Sequence, residues 1–235
     1  MRATILCRKL RKSILLNGFI ATLKTVILLP FVFSKQNKEY RARNEIQREF
    51  DCKYNTDTGG IIPLAEFSVV DNSNWMQGVR YGPTSPSRFQ QCLALLPLRH
   101  SEYSEFTYID LGSGKGATLL YASELGFGKV IGIEFVEELH RIAEENIRRY
   151  PGARSRAASI WCDATTYEFP NAPMVIFANH PFTSVLMIQV LANLFRKSHQ
   201  TYLIHEHADY ALSDLPAAKF LQQVASDQMC KVYAC

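Results

Sequence analysis

The amino-acid sequence predicts an α/β fold: a doubly wound, mostly parallel sheet with helices on both faces. Three observations support this prediction. The chain has 235 residues, of which 47% are hydrophobic and 20% charged, so it can bury a sizeable core. Beyond residue 100, apolar runs of strand length alternate with segments of helical periodicity, as in consecutive βαβ units. A glycine-rich turn at 112–116 directly follows the first of these runs and precedes a helical pattern.

The elements follow from these patterns in chain order. A first helix is predicted after residue 84, because Thr84 or Ser85 can cap it and Pro86 lies in its first turn. Its apolar face consists of Phe89, Cys92, Leu93 and Leu96. Strands are predicted at 106–111, 129–133, 158–162, 174–178, 201–205 and 231–234, and helices at 117–125, 137–150, 184–195 and 212–224.

Residues 1–49 are predicted to form a separate basic and apolar helical extension with a linker, before a domain at 50–235. The apolar stretch 13–33 is about long enough to cross a bilayer, which takes roughly 20 residues. Asn17, Lys24 and Pro30 interrupt it, and basic residues flank both of its ends. We therefore expect residues 1–40 to contact a membrane surface as an interfacial helix. A membrane span and packing against protein are the alternatives.

Net charge and the placement of cysteine and histidine residues bear on nucleic-acid binding, disulfide bonds and metal binding. The net charge of +4 is modest and much of the basic excess precedes residue 54, so no specific signal for nucleic acid is present. The six cysteines show no CxxC or Cys/His ligand spacing, which favours reduced thiols in the cytoplasm over disulfides or zinc. His205 and His207 alternate on one predicted strand, but no third ligand follows at a fixed spacing, so no metal site is expected.

The glycine-rich turn has three interpretations. A phosphate-binding P-loop is excluded, because Lys115 is followed by Gly116 rather than by Ser or Thr. The dinucleotide fingerprint is matched loosely, with Ala117 at its last position and Glu134 about 20 residues beyond. A plain turn between strand and helix is disfavoured, because three glycines cost backbone entropy that such a turn does not need.

Four motifs in order decide among these interpretations: "DLGSGKG" (110–116), "VIGIEF" (130–135), "CDAT" (162–165) and "FANHPF" (177–182). Over about residues 50–235, the chain resembles the class I S-adenosylmethionine-dependent methyltransferases. The segments at 50–64 and 78–89 look like the lead-in of a poorly characterised branch of these enzymes. The resemblance implies S-adenosylmethionine as cofactor and leaves the methyl acceptor unidentified. This family usually ends in a two-strand hairpin, whereas only one short run follows the last predicted helix, which leaves open the absence of one edge strand.

The resemblance also implies a cofactor site. Gly112, Gly114 and Gly116, with Ser113 in the same loop, would let the backbone approach the cofactor closely. Glu134, at the end of its strand, would accept hydrogen bonds from both ribose hydroxyls.

Four further residues are expected around this site. Asp163 would accept a hydrogen bond from the adenine amino group, or serve only as a turn residue. Asp110 would orient the glycine loop or meet the amino group of the cofactor. Tyr81 and Thr84 would close over its methionine end, although a helix-capping turn explains them equally well.

The residues Asn179, His180 and Phe182 are the catalytic candidates. Their loop resembles the Asn/Asp-Pro-Pro-aromatic loop of amino-group methyltransferases, in which a side-chain oxygen and a backbone carbonyl accept the amine hydrogens and the aromatic ring packs on the acceptor. His180 replaces the first proline of that loop, and an imidazole can also act as a base for a hydroxyl acceptor. An amino acceptor is therefore only slightly favoured, and a purely structural loop is a further alternative.

Two other classes stay open. A nicotinamide-dependent oxidoreductase would use the same glycine loop and Glu134, but not Asp163 or the loop after the fourth strand. A non-catalytic cofactor-binding or scaffolding protein can share the fold without the activity.

Overall fold

The computed structural model of the chain describes residues 45–63, 66–67, 81–194, 199–207, 210 and 212–235. The apolar stretch 13–33 and its expected membrane contact lie outside these residues. Within the described ranges, no helix is both long enough and apolar enough to cross a membrane. Residues 47–235 form one compact unit.

Seven strands and five α-helices are described in this part of the chain. The strands are β1 (Thr107–Leu111), β2 (Lys129–Glu134), β3 (Ala157–Trp161), β4 (Met174–Asn179), β5 (Thr201–Glu206), β6 (Gln222–Ser226) and β7 (Cys230–Ala234). The helices are α1 (45–54), α2 (Pro86–Leu93), α3 (Ala117–Ser123), α4 (Glu137–Arg149) and α5 (Ser184–Leu194). Short 3₁₀ helices cover His100–Glu105, Leu212–Asp214 and Pro216–Ala218.

The strands form one sheet in the order β3-β2-β1-β4-β5-β7-β6. The strands β1 to β5 pair in parallel, and β7 is antiparallel to both β5 and β6. The chain moves outward from β1 through β2 to β3 and then returns to place β4 on the other side of β1. Ligands of open parallel sheets bind at such a reversal, outside the carboxyl ends of the strands.

The two faces of the sheet carry separate apolar cores, so helices cover both sides as the sequence predicts. Along β1, Tyr108 packs into one core with Phe89 and Leu120, whereas Ile109 packs into the other with Met187. The strands β1, β4 and β5 are almost wholly buried, because they lie in the middle of the sheet between these two layers. Their buried position explains why they read as mainly apolar runs rather than as alternating patterns.

At the carboxyl end one expectation is wrong and one open question is answered. The predicted helix at 212–224 is absent, and two 3₁₀ turns followed by β6 take its place. Leu215, Ala218 and Leu221 each donate a backbone hydrogen bond to the residue three positions earlier, at 2.9 Å. The apolar residues here recur every three positions, which is the period of a 3₁₀ helix. Because β6 and β7 form a hairpin, the sheet does not lack an edge strand.

Candidate active site

A cleft opens at the carboxyl ends of β1 to β4, where the chain reverses. It encloses about 1000 Å³ of space, including open solvent at its mouth. Ten of the twelve residues that the sequence predicts for a site line it: Tyr81, Thr84, Asp110, Gly112, Ser113, Gly114, Glu134, Asp163, Asn179 and Phe182. Gly116 and His180 are not among the lining residues.

The glycine loop forms one wall of this cleft and is tightly packed. Gly114 has φ +54, and a Cβ there would lie 2.2 Å from Cε2 of Tyr81. Gly112 has φ +72, and a Cβ there would lie 2.8 Å from Cβ of Pro181. Glycine is therefore required at both positions by backbone conformation and by neighbouring side chains. Gly116, which lies outside the cleft, is the N-cap residue of α3.

Glu134 connects the end of β2 to the glycine loop. Its Oε2 accepts the backbone N–H of Gly114 at 2.7 Å, and its Oε1 accepts that of Val136 at 2.8 Å. The side chain is buried, which raises the pKa of this carboxyl, although the backbone donors oppose that shift. The carboxylate thus orients the loop as well as lining the cleft.

Asp110 is a second buried carboxyl, near the end of β1. Its Oδ2 accepts a hydrogen bond from the hydroxyl of Thr118 on α3. Burial raises the pKa of Asp110 to about 8, with a smaller contribution from the carboxylates of Glu134 and Glu206 and an opposing one from this hydrogen bond. Asp110 therefore ties α3 to the sheet at the floor of the cleft.

Asp163 follows β3 and also lines the cleft. Its Oδ1 accepts hydrogen bonds from the backbone N–H of Thr165 at 2.9 Å and from the Thr165 hydroxyl at 2.7 Å. This is the turn that the sequence allows as an alternative to an adenine contact. The turn fixes the carboxylate at the rim, so the two roles are compatible.

Tyr81 covers the glycine loop, and its hydroxyl donates a hydrogen bond to the carbonyl of Thr58 at 2.6 Å. Lys115 of the same loop does not point into the cleft. Its Nζ donates to Oδ1 of Asp57 at 2.7 Å and to the carbonyl of Gly59 at 3.0 Å. A lysine held in this way is not available for a ligand phosphate, which agrees with the exclusion of a P-loop.

The end of β4 and the loop that follows it bring Asn179, Pro181 and Phe182 to the cleft but turn His180 away from it. His180 has φ +43, a conformation that histidine adopts more readily than most residues. Its backbone N–H donates to the carbonyl of Glu206 at 3.0 Å, and its Nδ1 lies 2.7 Å from the carbonyl of His207. The imidazole is therefore engaged with the end of β5.

Two residues that sequence reasoning missed stand behind this loop. Glu206 is fully buried and pairs in register with Asn179 of the neighbouring strand. Arg88 of α2 donates from Nε to Oε1 of Glu206 at 2.7 Å and also pairs with Asp227. The strand register could have indicated Glu206, because the two strand ends were both predicted, but no local pattern indicates Arg88.

The histidines at the end of β5 do not assemble a metal centre. Burial lowers the pKa of His205 to about 4, with smaller contributions from His180 and Lys231, which favours the neutral imidazole. His207 leaves the strand with φ +52. Among the residues described here, no group of three or more His, Cys, Asp or Glu side chains is placed to hold a metal ion.

The chain has the fold of the class I S-adenosylmethionine-dependent methyltransferases. A predicted N6-adenine-specific DNA methylase from Listeria monocytogenes is similar in structure, with a TM-score of 0.51 and 12% identity over 65% of this chain and 51% of that one. The mitomycin 7-O-methyltransferase MmcR has a TM-score of 0.47 and 13% identity over 63% of this chain and 52% of its own. An RNA methyltransferase from Salinibacter ruber, in complex with S-adenosyl-L-homocysteine, has a TM-score of 0.45 and 17% identity over 65% and 91%.

The chain thus spans about half the length of the first two of these proteins. No protein-family model and no curated protein sequence matches it. At identities this low, the likeness establishes the fold and not the reaction.

Proposed function

We propose that this chain is an S-adenosylmethionine-dependent methyltransferase that acts on an amino group. The observation that carries the proposal is the content of one cleft. The glycine wall, the carboxylates of Glu134 and Asp163 at the carboxyl ends of β2 and β3, and Asn179 at the end of β4 all meet at the reversal of the sheet. The similar structure of a predicted N6-adenine-specific DNA methylase supports this assignment at the level of the fold.

The cleft residues fit the proposed cofactor. Gly112 and Gly114 line the cleft without a side chain, so a bound cofactor can approach their backbone closely. Glu134 and Asp163 offer carboxylate oxygens for the ribose hydroxyls and the adenine amino group. Val136 adds apolar lining that suits an adenine ring. When bound, the cofactor supplies an electrophilic methyl group on a sulfonium.

An amino acceptor is favoured over a hydroxyl acceptor by the orientation of two side chains. A hydroxyl needs a base, but the His180 ring lies against the His207 carbonyl and is not part of the cleft lining. Asn179 does line the cleft, and a carboxamide oxygen can accept an N–H from an amine. The chain would then contribute mainly by aligning the nucleophile with the methyl group.

Calorimetry tests the cofactor assignment. The parent chain should bind S-adenosylmethionine and S-adenosylhomocysteine, and it should not bind nicotinamide dinucleotides. Glu134→Ala should weaken binding by about 1.5–3 kcal/mol, because hydrogen bonds to a charged group are lost. Glu144→Ala removes an exposed carboxylate outside the cleft and serves as the matched control. Binding of a nicotinamide dinucleotide alone would identify an oxidoreductase instead.

A labelled methyl donor added to the chain and a cell extract tests the reaction. Transfer of label to an amine-containing product supports the proposal, and absence of any transfer despite tight binding favours a non-catalytic protein. With the labelled acceptor, Asn179→Ala should lower turnover far more than His180→Ala does. The reverse order, with a loss of about a hundredfold for His180→Ala, would indicate a hydroxyl acceptor.

A further inference from the structure

We infer that Thr84 and Glu206 are positioning residues that decide which end of the Asn179 carboxamide faces the cleft. The inference rests on the proposed function, since it concerns the loop proposed to hold the methyl acceptor. It assigns to Thr84 a role that differs from contact with the cofactor.

Four side chains form a continuous series of polar contacts behind the loop. Arg88 donates from Nε to Oε1 of Glu206 at 2.7 Å, and the Glu206 side chain is only 1% exposed. The hydroxyl of Thr84, a buried residue, lies 3.4 Å from Oε2 of Glu206. The last member of this series is Asn179, whose Nδ2 donates to the Thr84 hydroxyl at 2.7 Å.

The chemistry of these groups fixes which of them donates and which accepts in each hydrogen bond of this series. Arg88 is permanently charged, and its contact at 2.7 Å favours the ionised form of Glu206, which can only accept hydrogen bonds. Thr84 has a single hydroxyl proton, which points toward that carboxylate. The 3.4 Å separation is long for a hydroxyl bond, but the opposite orientation would aim the lone pairs of Thr84 at a negative charge.

With its proton directed at Glu206, the Thr84 oxygen can only accept from Asn179. The carboxamide must therefore present its NH₂ end to Thr84, and its Oδ1 lies at the opposite end. Oδ1 is thus the atom available to a group in the cleft, and it selects a group that donates a hydrogen bond, as an amine does. A reversed carboxamide would present N–H donors and repel an ammonium group.

An isosteric substitution reverses donor and acceptor in the hydrogen bonds of Thr84 without changing the shape of the site. In Glu206→Gln, the amide oxygen stays opposite Nε of Arg88, because two donors cannot face each other. The new NH₂ group then takes the place of Oε2 and donates to Thr84. The Thr84 proton turns toward Asn179, whose carboxamide flips and presents its NH₂ group to the cleft.

Sinefungin provides a probe that needs no knowledge of the acceptor. This cofactor analogue carries an ammonium group where S-adenosylmethionine carries its sulfonium methyl, whereas S-adenosylhomocysteine carries neither. The ratio of the two dissociation constants, measured by calorimetry, therefore reports the oxygen acceptors around the position of the methyl group. We expect the parent chain to bind sinefungin more tightly than S-adenosylhomocysteine.

Thr84→Val and Glu206→Gln should each lower this preference by about tenfold while changing S-adenosylhomocysteine affinity by less than about threefold. Thr84→Ser keeps the hydroxyl and should retain the preference. Asp227→Asn, which alters the other carboxylate partner of Arg88 without touching Thr84, is the matched control and should retain it too.

The outcomes separate the inference from the proposed function. If the parent chain binds neither ligand, the proposed function fails and the inference fails with it. If S-adenosylhomocysteine binds but the preference is absent in the parent or unchanged in the variants, the inference alone is overturned. A loss of S-adenosylhomocysteine affinity equal to the loss for sinefungin would instead make Thr84 a cofactor contact. Because either variant can carry the test, failure of one of them to fold does not remove it.

Discussion

Gly114 offers the sharpest test of how the glycine loop is built, through substitution by alanine. The residue has φ +54, and a left-handed backbone conformation costs an L-residue about 1–2 kcal/mol. The new Cβ would also lie 2.2 Å from Cε2 of Tyr81, whereas ordinary contact begins near 3.4 Å. The Tyr81 ring must therefore move by about an ångström or more.

That movement breaks the 2.6 Å hydrogen bond from the Tyr81 hydroxyl to the carbonyl of Thr58. A buried polar group left without its partner costs about 1–3 kcal/mol. The two contributions together predict that Gly114→Ala lowers the free energy of unfolding by about 2–5 kcal/mol. For a domain of this size, each kcal/mol corresponds to about 2–4 °C in the thermal midpoint.

Gly126→Ala is the matched control for this experiment. Gly126 has φ +82 but a Cβ there would meet nothing within 4 Å, so only the backbone cost of about 1–2 kcal/mol applies. Thermal unfolding and calorimetric titration with S-adenosylhomocysteine measure both variants. Gly114→Ala should be the less stable of the two and should also weaken binding, because Tyr81 lines the cleft. Equal stability of the two variants would refute the role of Tyr81 in packing the loop.

Two further predictions concern groups around the cleft. The pKa of Asp110 is raised from its ordinary value of 3.8 to about 8 in the fold, so its contribution to stability is complete below about pH 4 and is lost as pH rises through about 8. Asp110→Asn should therefore reduce the fall in the free energy of unfolding, measured in urea, between pH 5 and pH 8. An unchanged dependence of this free energy on pH would contradict the assignment. Lys115→Met should lower the free energy of unfolding by about 1 kcal/mol and expose residues 51–60 to limited proteolysis, because it removes the hydrogen bonds to Asp57 and Gly59. The control Arg141→Met breaks an exposed ion pair with Glu137 and should have neither effect.

The central strands β1, β4 and β5 could be predicted from the sequence because they are buried on both faces. Each is mainly apolar, and the charged or strongly polar residues Asp110, Asn179, His205 and Glu206 lie at or near the carboxyl ends. The α2 helix was equally readable, since the Ser85 hydroxyl accepts the backbone N–H of Arg88 and Pro86 follows at the first position. Local chemistry was sufficient in both cases.

The prediction of an α-helix at 212–224 is wrong because the periods of an α-helix and a 3₁₀ helix are hard to distinguish over a short segment. Leu212, Leu215 and Ala218 are all buried and recur every three residues. A repeat of three fits a 3₁₀ helix, whereas an α-helix needs steps of three and four that average 3.6. The hairpin that follows depends on Asp227, which accepts the backbone N–H groups of Met229 and Cys230.

In the candidate site, residues that line the cleft could be predicted from the sequence, whereas the partners that orient them could not. Glu134, Asp163 and Asn179 could be brought together from the sequence, because the carboxyl ends of neighbouring parallel strands meet at one edge of the sheet. Their proposed roles toward a cofactor and an acceptor stay predictions. The partners that orient them lie elsewhere in the chain, and Arg88 is 118 residues from Glu206. No periodicity or motif carries information over that distance.

Lys115 shows why the motif alone would have misled. A lysine inside a glycine loop suggests a contact with a negatively charged ligand, yet this one binds Asp57 and the carbonyl of Gly59. Asn146 of α4 reinforces the same junction, since its Nδ2 donates to the carbonyls of Asp57 and Lys115 at 2.9 Å each. The segment at 57–59 therefore packs behind the glycine loop, while Tyr81 covers its front. A segment rich in turn-forming residues thus supports the glycine loop from behind.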